Sequence, residues 1–333
     1  MLIGCAGNQS NTQIKPGLSL LSEDLKRELY NVSQSVVGVN SKIKYEIQKF
    51  TYLEEEGRLV VDPKSPLKYK LASNGDSGIT KEKEDKTLSG GGLLIDYQPE
   101  TSKYTILTSS HLVAPQDTTD VYYLDEYGVK TDVLFARYIV KDVIISVRLA
   151  NNWRVEADLI AKDSAVDLAI IEVQTDSRLG YEFRDKVGYD LNLSWGDWVF
   201  LFGFPKGIKQ MTGGWVSQAP YRGTLAVDAV VRFGFSGGPV FGISKSNAKL
   251  IFAGVVKSVP RSTLDYIAPD GSLPMGFRLS AAEVERLVVR KEIMVDYGTA
   301  YFVNARTIKE FFVKNRSVLN RAGIRLHPKY FGN

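Results

Sequence analysis

Apolar and polar positions alternate along most of the chain from about residue 88 to residue 258. The runs "GGLLIDY", "YTILTSS", "TDVLFARYIV", "DVIISVRLA", "RVEADLIAKD" and "DLAIIEV" succeed one another, separated by Asp, Asn, Gly and Lys. A second series follows, "DWVFLFGFP", "GGWVSQAP", "LAVDAVV", "GGPVFGIS" and "LIFAGVVKS". Short runs rich in Val, Ile and Phe, punctuated by turn residues, predict β-strands. The strand–helix alternation of a doubly wound fold is missing, so the pattern predicts a sandwich or barrels. Upstream, "SVVGVNSKIKYEIQKF" (Ser35–Phe50) reads as another strand. Residues 52–87 carry Glu54–Glu56 and Lys81–Lys86 among Gly, Ser and Pro, and predict a long solvated loop.

Helical periodicity is confined to the two ends. Ser22 is placed to cap a short helix with Leu25, Leu29 and Val32 on one face. Near the C-terminus, "MGFRLSAAEVERLVV" and "TAYFVNARTIKEFFV" each read as strand, cap and amphipathic helix. In the first, Ser280 and Glu283 form a capping box. In the second, Asn304 caps a helix whose Ile308, Phe311 and Phe312 share a face.

Composition narrows the functional classes. The 333 residues are 44% apolar and 24% charged, enough for a large core without staples. That length fits two domains, or one all-β unit of two packed barrels with extensions. The net charge is +4, from 42 basic and 38 acidic residues that interleave, so no nucleic-acid partner is expected. With a single cysteine and two histidines, neither an intrachain disulfide nor a Cys/His metal cluster can be assembled, and no metal or cofactor is expected. No apolar run reaches the ~18 residues of a membrane-spanning helix. At the start, Leu2-Ile3-Gly4-Cys5 resembles a bacterial lipobox. That resemblance implies an extracytoplasmic protein tethered to a membrane through lipidated Cys5, with polar residues 6–21 as a leash.

Three residues carry candidate chemistry. His111 follows an apolar strand in "YTILTSSHLVAP", Asp167 opens another in "SAVDLAIIEV", and Ser236 sits among glycines in "RFGFSGGPVFG". Taken singly, each is an ordinary loop or turn residue. Together they match a known requirement. A serine hydroxyl is a weak nucleophile until an imidazole takes its proton, and a carboxylate fixes that imidazole's tautomer. His111 is the only histidine within the β-rich region.

These motifs resemble those of trypsin-like serine peptidases, in particular the HtrA/Deg group. The order His, Asp, Ser agrees, and "LTSSHLV", "DLAIIEV" and "GFSGGPV" are similar to the family's three catalytic motifs. "GDWVFLFGFPKG" is similar to the strand and turn that open the family's second barrel. "GTAYFVNARTIKEFF" is similar to its last strand and closing helix, which makes 298–314 the final strand and helix and about 259–297 an insertion.

The resemblance implies an all-β fold of two six-stranded antiparallel β-barrels with short terminal helices. The first barrel would span about 31–180 and the second about 190–315, between a tail at 1–30 and another at 316–333. It implies a serine endopeptidase with His111 as general base and acid, Asp167 as its orienter and Ser236 as nucleophile. The N–H groups of Gly234 and Ser236 would form the oxyanion hole. Val230 would form the base of the substrate pocket with Val231 beside it, and Val255 and Val256 would lie on the strand that pairs with the substrate. An apolar pocket implies cleavage after small or aliphatic residues in unfolded or extended polypeptides.

Two positions depart from the family pattern. Phe235 stands where other members carry Asp or Asn, and Ser110 replaces the usual Ala before the histidine. HtrA proteins normally carry a PDZ domain after the peptidase, and the residues following 315 are too few for one. The alternative reading is a non-catalytic trypsin-fold protein that binds peptides or acts as a chaperone.

Overall fold

The structure, a computed structural model, describes residues 21–72, 78–125, 129–148, 153–189, 191–218, 222–244, 249–258, 261–269, 287–295 and 298–332. The lipobox with Cys5 and the Ser280–Glu283 capping box lie outside the described residues.

Helix α1 (Glu23–Ser33) starts where the sequence predicts, with Ser22 Oγ accepting from the Leu25 N–H at 3.2 Å. The first lobe follows as β1 (Val36–Phe50), β2 (Glu54–Glu55), β3 (Arg58–Leu59), β4 (Ile79–Gln98), β5 (Lys103–Thr108), the one-turn helix α2 (Ser110–Val113), β6 (Thr118–Leu124), β7 (Lys130–Arg148), β8 (Arg154–Glu156), β9 (Asp158–Asp163) and β10 (Leu168–Gln174). Apart from the small β2–β3 ribbon, these strands form an eight-stranded sheet in the order β6-β7-β1-β4-β5-β10-β9, with β8 also on β7.

The second lobe contains β11 (Trp198–Gly203), β12 (Gln210–Ser217), β13 (Thr224–Asp228), β14 (Pro239–Ile243), β15 (Leu250–Ser258), a separate hairpin of β16 (Arg261–Pro269) and β17 (Leu287–Val295), then β18 (Thr299–Asn304) and helix α3 (Ala305–Arg321). Here β11-β12-β13-β18-β15-β14 close into a six-stranded barrel. β18 completes the barrel by pairing with both β13 and β15, as expected for 298–314, and β16–β17 fall in the expected insertion. Asn304 Oδ1 caps α3 by accepting from the Thr307 N–H at 2.9 Å.

The fold is thus the mostly-β, two-lobed arrangement the resemblance implies. The first lobe differs in detail, because its strands curl as an open sheet and three of them overrun the lobe. Residues 79–87, expected in a solvated loop, are the first half of β4 and pair with β1. Their charged side chains stay in water while the backbone ladder forms, and cross-strand pairs such as Lys49–Glu82 and Lys42–Asp85 match the two strands. A small cluster of Phe50, Tyr52, Val133 and Leu134 caps the far end of this arm.

Apolar packing divides three ways. One cluster, including Val39, Ile106 and Ile171, fills the curl of the first lobe, and another, including Val199, Leu201 and Phe235, fills the barrel. The largest lies between the lobes and joins Leu93, Leu107 and Ile170 of the first to Phe202, Phe241 and Phe252 of the second. The terminal helices add to it through Leu29 and Val32 of α1 and Ile308, Phe311 and Phe312 of α3. Residues 316–332, expected as a tail, continue α3 and then pack back through Ile324, Leu326 and Tyr330. Lys314 on α3 also donates to Asp163 at the end of β9, at 2.6 Å. This hydrogen bond, more than any other influence, holds the Asp163 carboxyl below the usual carboxylate range.

Candidate active site

The site forms where the two lobes meet. Strand β5 ends at Thr108, and the chain turns through Ser109 into α2, which carries His111. Asp167 immediately precedes β10, in a left-handed backbone conformation with φ of 62°. The adjacent strands β5 and β10 run antiparallel, so the end of one lies beside the start of the other. His111 and Asp167, 56 residues apart, are thereby brought into contact.

Asp167 is 8% exposed and grips His111 twice. Its Oδ1 accepts the His111 backbone N–H at 2.9 Å, and its Oδ2 lies 2.8 Å from Nδ1. The Asp167 carbonyl accepts from the Ser110 N–H at 3.2 Å, which ties the two segments together again. A carboxylate only accepts hydrogen bonds, so this contact assigns the ring proton to Nδ1 and leaves the Nε2 lone pair for other work. The His111 side chain is 43% exposed and lines an open cleft of about 670 Å³.

Ser236 lines the same cleft from the second lobe, just before β14. Among the described residues its Oγ makes no hydrogen bond to His111, although both line this one cleft. The turn that leads to it has an unusual backbone. Arg232–Phe235 is a four-residue turn closed by the Phe235 N–H on the Arg232 carbonyl at 3.2 Å. Its third residue, Gly234, has φ of 111°, a conformation that side-chain-bearing residues avoid. Backbone bonds engage the N–H groups of Phe235, Gly237 and Gly238, but not those of Gly234 or Ser236. Among the described residues those two donors are left uncommitted beside the hydroxyl.

Backbone from the other lobe presses the turn into place. The Gly91 N–H on β4 donates to the Ser236 carbonyl at 2.8 Å. At the neighbouring Gly90, a Cβ would overlap both that carbonyl and the Leu112 side chain, so only glycine allows this approach. Across the lobe boundary, Ser109 Oγ donates to the Val256 carbonyl at 3.0 Å. Ser109 was not singled out by sequence reasoning, although it stands two residues before His111 inside the same motif.

Phe235, the clearest departure from the family pattern, is 3% exposed and turns inward to the barrel core with Val199, Leu201 and Val240. Its ring therefore packs with the barrel core, while the residue also borders the cleft. Ser110 Oγ is buried and finds no partner among the described residues.

The pocket residues separate into two groups. Val231 and Val256 line the cleft and are fully buried or nearly so. Val255 is buried but does not line it. Val230, expected at the pocket base, is 64% exposed and lies outside the lining. Successive side chains of an extended segment point to opposite sides, so seating Val231 inward sends Val230 to solvent. Of the two valines, Val231 is the one that faces the cleft. Lys86, Lys206, Arg232 and Lys257 also line the cleft, and of these the sequence points only to Arg232, two residues beyond Val230, as a cation near the pocket.

Residues 90–247 match the trypsin-like peptidase domain family. A probable periplasmic serine endoprotease, DegP-like, of Rhizobium meliloti is 30% identical over 155 residues, covering 40% of this chain and 30% of that protein. The corresponding protein of Bartonella henselae is 27% identical over 192 residues, covering 55% of this chain and 35% of that protein. The chain thus spans about a third of the length of the curated relatives it matches. The solved structure of an HtrA-type protease, AlgW, with a decapeptide aligns with a TM-score of 0.47 at 13% identity, over 87% of this chain and 67% of that one. By its motifs and its sequence relatives, this chain is similar to the trypsin-like serine peptidases of the HtrA/Deg group, with residues 90–247 as the matching part.

Proposed function

We propose that the chain is a serine endopeptidase that cleaves through an acyl-enzyme. The observation that carries this reading is the His111–Asp167 pair facing Ser236 across one cleft, with two uncommitted N–H groups beside the hydroxyl. In the reaction, Ser236 Oγ attacks the peptide carbonyl carbon as His111 Nε2 takes the hydroxyl proton. The carbonyl oxygen becomes an anion and receives hydrogen bonds from the Gly234 and Ser236 N–H groups. His111 then gives its proton to the departing amine. A water molecule, deprotonated by the same ring, hydrolyses the ester and regenerates Ser236. Asp167 keeps the proton on Nδ1 and stabilises the transient imidazolium.

The pocket based on Val231 and walled by Val256 favours Val, Ala, Leu or Ile before the cut, in extended segments that can add to the edge of β15. A fluorophosphonate should label wild-type protein at Ser236. Ser236→Ala and His111→Ala should each lower peptide hydrolysis by ~10⁴-fold while circular dichroism is unchanged. Retention of more than a few per cent of turnover in either variant would overturn the assignment.

The relatives are named as periplasmic proteins, which supports an extracytoplasmic location here, with Cys5 as a lipid anchor. Cell fractionation with intact-mass analysis checks this, and soluble protein without added lipid mass on Cys5 would refute the anchor.

A further inference from the structure

The cleft that holds Ser236 has a strongly one-sided charge. Four cationic side chains line it from four separate segments. They are Lys86 on β4, Lys206 in the turn after β11, Arg232 in the turn before the serine, and Lys257 near the end of β15. The only acid in the lining is Asp167, and its carboxylate is committed to His111. Lys86, Lys206 and Arg232 are exposed and Lys257 is half-buried. Among the described residues none of the four has an ion-pair partner, although lysines on β1, the strand paired with β4, do. Lys42 and Lys44, for example, pair with Asp85 and Asp142. The chain as a whole is nearly balanced, with 42 basic and 38 acidic residues, so the excess is local.

We propose that the preferred substrates are extended polypeptide segments with Asp or Glu side chains flanking an aliphatic residue at the cut. This rests on the peptidase reading and names its substrate class. The floor of the pocket is apolar at Val231, so a carboxylate does not belong in the pocket itself. It belongs on the flanks. β14 and the residues before it bond β15 as far as Val256, whose N–H and carbonyl are taken by Gly238 and Gly237, so an added strand would run along the part of β15 that carries Lys257. Alternate side chains of that strand would face Lys257 or the opposite rim, where Lys86, Lys206 and Arg232 lie. Like charges grouped in a cleft focus the field and raise both the encounter rate and the local concentration of anionic segments. Lysine-rich segments would be repelled by the same field.

Three peptides with an invariant aliphatic core around Val test this, their flanks carrying Asp/Glu, Asn/Gln or Lys/Arg. Wild-type kcat/KM is measured at about 20 mM and about 1 M salt, where the screening length falls from roughly 20 Å to roughly 3 Å. Binding of the same peptides, dye-labelled, to Ser236→Ala protein is followed by fluorescence anisotropy. The acidic peptide should exceed the neutral one by about 10-fold at low salt in both assays, and the gap should close at high salt. In Lys257→Gln and Arg232→Gln the acidic-to-neutral ratio, read within each variant, should shrink, and in the double charge reversal Lys257→Glu/Arg232→Glu the order should invert. Equal values for acidic and neutral peptides at low salt would overturn the inference while leaving the peptidase reading intact. Preferential binding of the acidic peptide without cleavage or fluorophosphonate labelling would defeat the peptidase reading and keep the cleft's preference.

Discussion

Replacement of Phe235 by Ala tests whether a core side chain holds the turn before Ser236. The ring is 3% exposed, and it lies so close to Gly203 on β11 that a Cβ there would sit 2.7 Å from its Cγ. Little can collapse into the space it leaves. Loss of the buried ring and the resulting cavity together cost about 3–5 kcal/mol for a Phe→Ala change in a packed core. That is about 10²- to 10⁴-fold in the folding equilibrium, within the ~5–15 kcal/mol margin of a typical domain, so the variant remains mostly folded at 25 °C. The turn, however, loses its inner anchor one residue from the nucleophile and one from Gly234. Urea denaturation should show the drop in stability, and fluorophosphonate labelling of Ser236 should slow at least ~10-fold, far more than the small unfolded fraction explains. Phe235→Leu retains most of the volume, should cost under about 1.5 kcal/mol, and should restore most of the labelling. Labelling at the wild-type rate in a destabilised Phe235→Ala protein would refute the anchoring argument. An unchanged denaturation curve would refute the core assignment.

Asp167→Asn should keep the fold but cut peptide hydrolysis by about 10⁴-fold, because an amide N–H can hold the imidazole in the wrong tautomer, and steady-state kinetics measure the loss. Val230→Asp should leave the cleavage profile unchanged, whereas Val231→Ala should admit larger side chains before the cut. Sequencing the new C-termini of a digested, denatured protein distinguishes the two. Asp163→Asn should show pH-dependent destabilisation. The depressed native carboxyl contributes stability that is present above its unfolded value of ~3.9 and is lost as pH falls through its native value. Thermal melts should place the variant below wild type near pH 7, by about 0.2–1 kcal/mol for so exposed a partner as Lys314, and the curves should converge in strong acid.

The parts of the fold that were legible in the sequence are those where a local pattern dictates the structure. The alternating runs became strands, Ser22 and Asn304 became caps, and 298–314 closed the barrel. His111 and Asp167 were legible as a pair through motif order, and their double contact follows from the antiparallel neighbours β5 and β10. Misreadings arose where tertiary context decides. The charges at 81–86 read as loop because polarity does not report backbone pairing, which β1 supplies across the arm. Val230 and Val231 lie in a segment outside the strands, where no ladder fixes which of two adjacent valines turns inward. The direction of Phe235 depended on a vacancy beside Gly203, 32 positions earlier in the chain. The cationic rim draws on four segments between Lys86 and Lys257, and no local window holds more than one of them.

The proposed base and nucleophile belong to different halves of the chain. His111 and Asp167 precede the link between β10 and β11, and Ser236 follows it. Cut in that link, at residues 175–197, the polypeptide would yield two fragments, one with an imidazole and no hydroxyl to activate, the other with a hydroxyl and no base. Their only common assay signal would come from reassembly. Fused to a pair of interacting proteins, the halves would act as a split reporter whose readout, covalent capture of a fluorescent phosphonate, records that the two pieces have met.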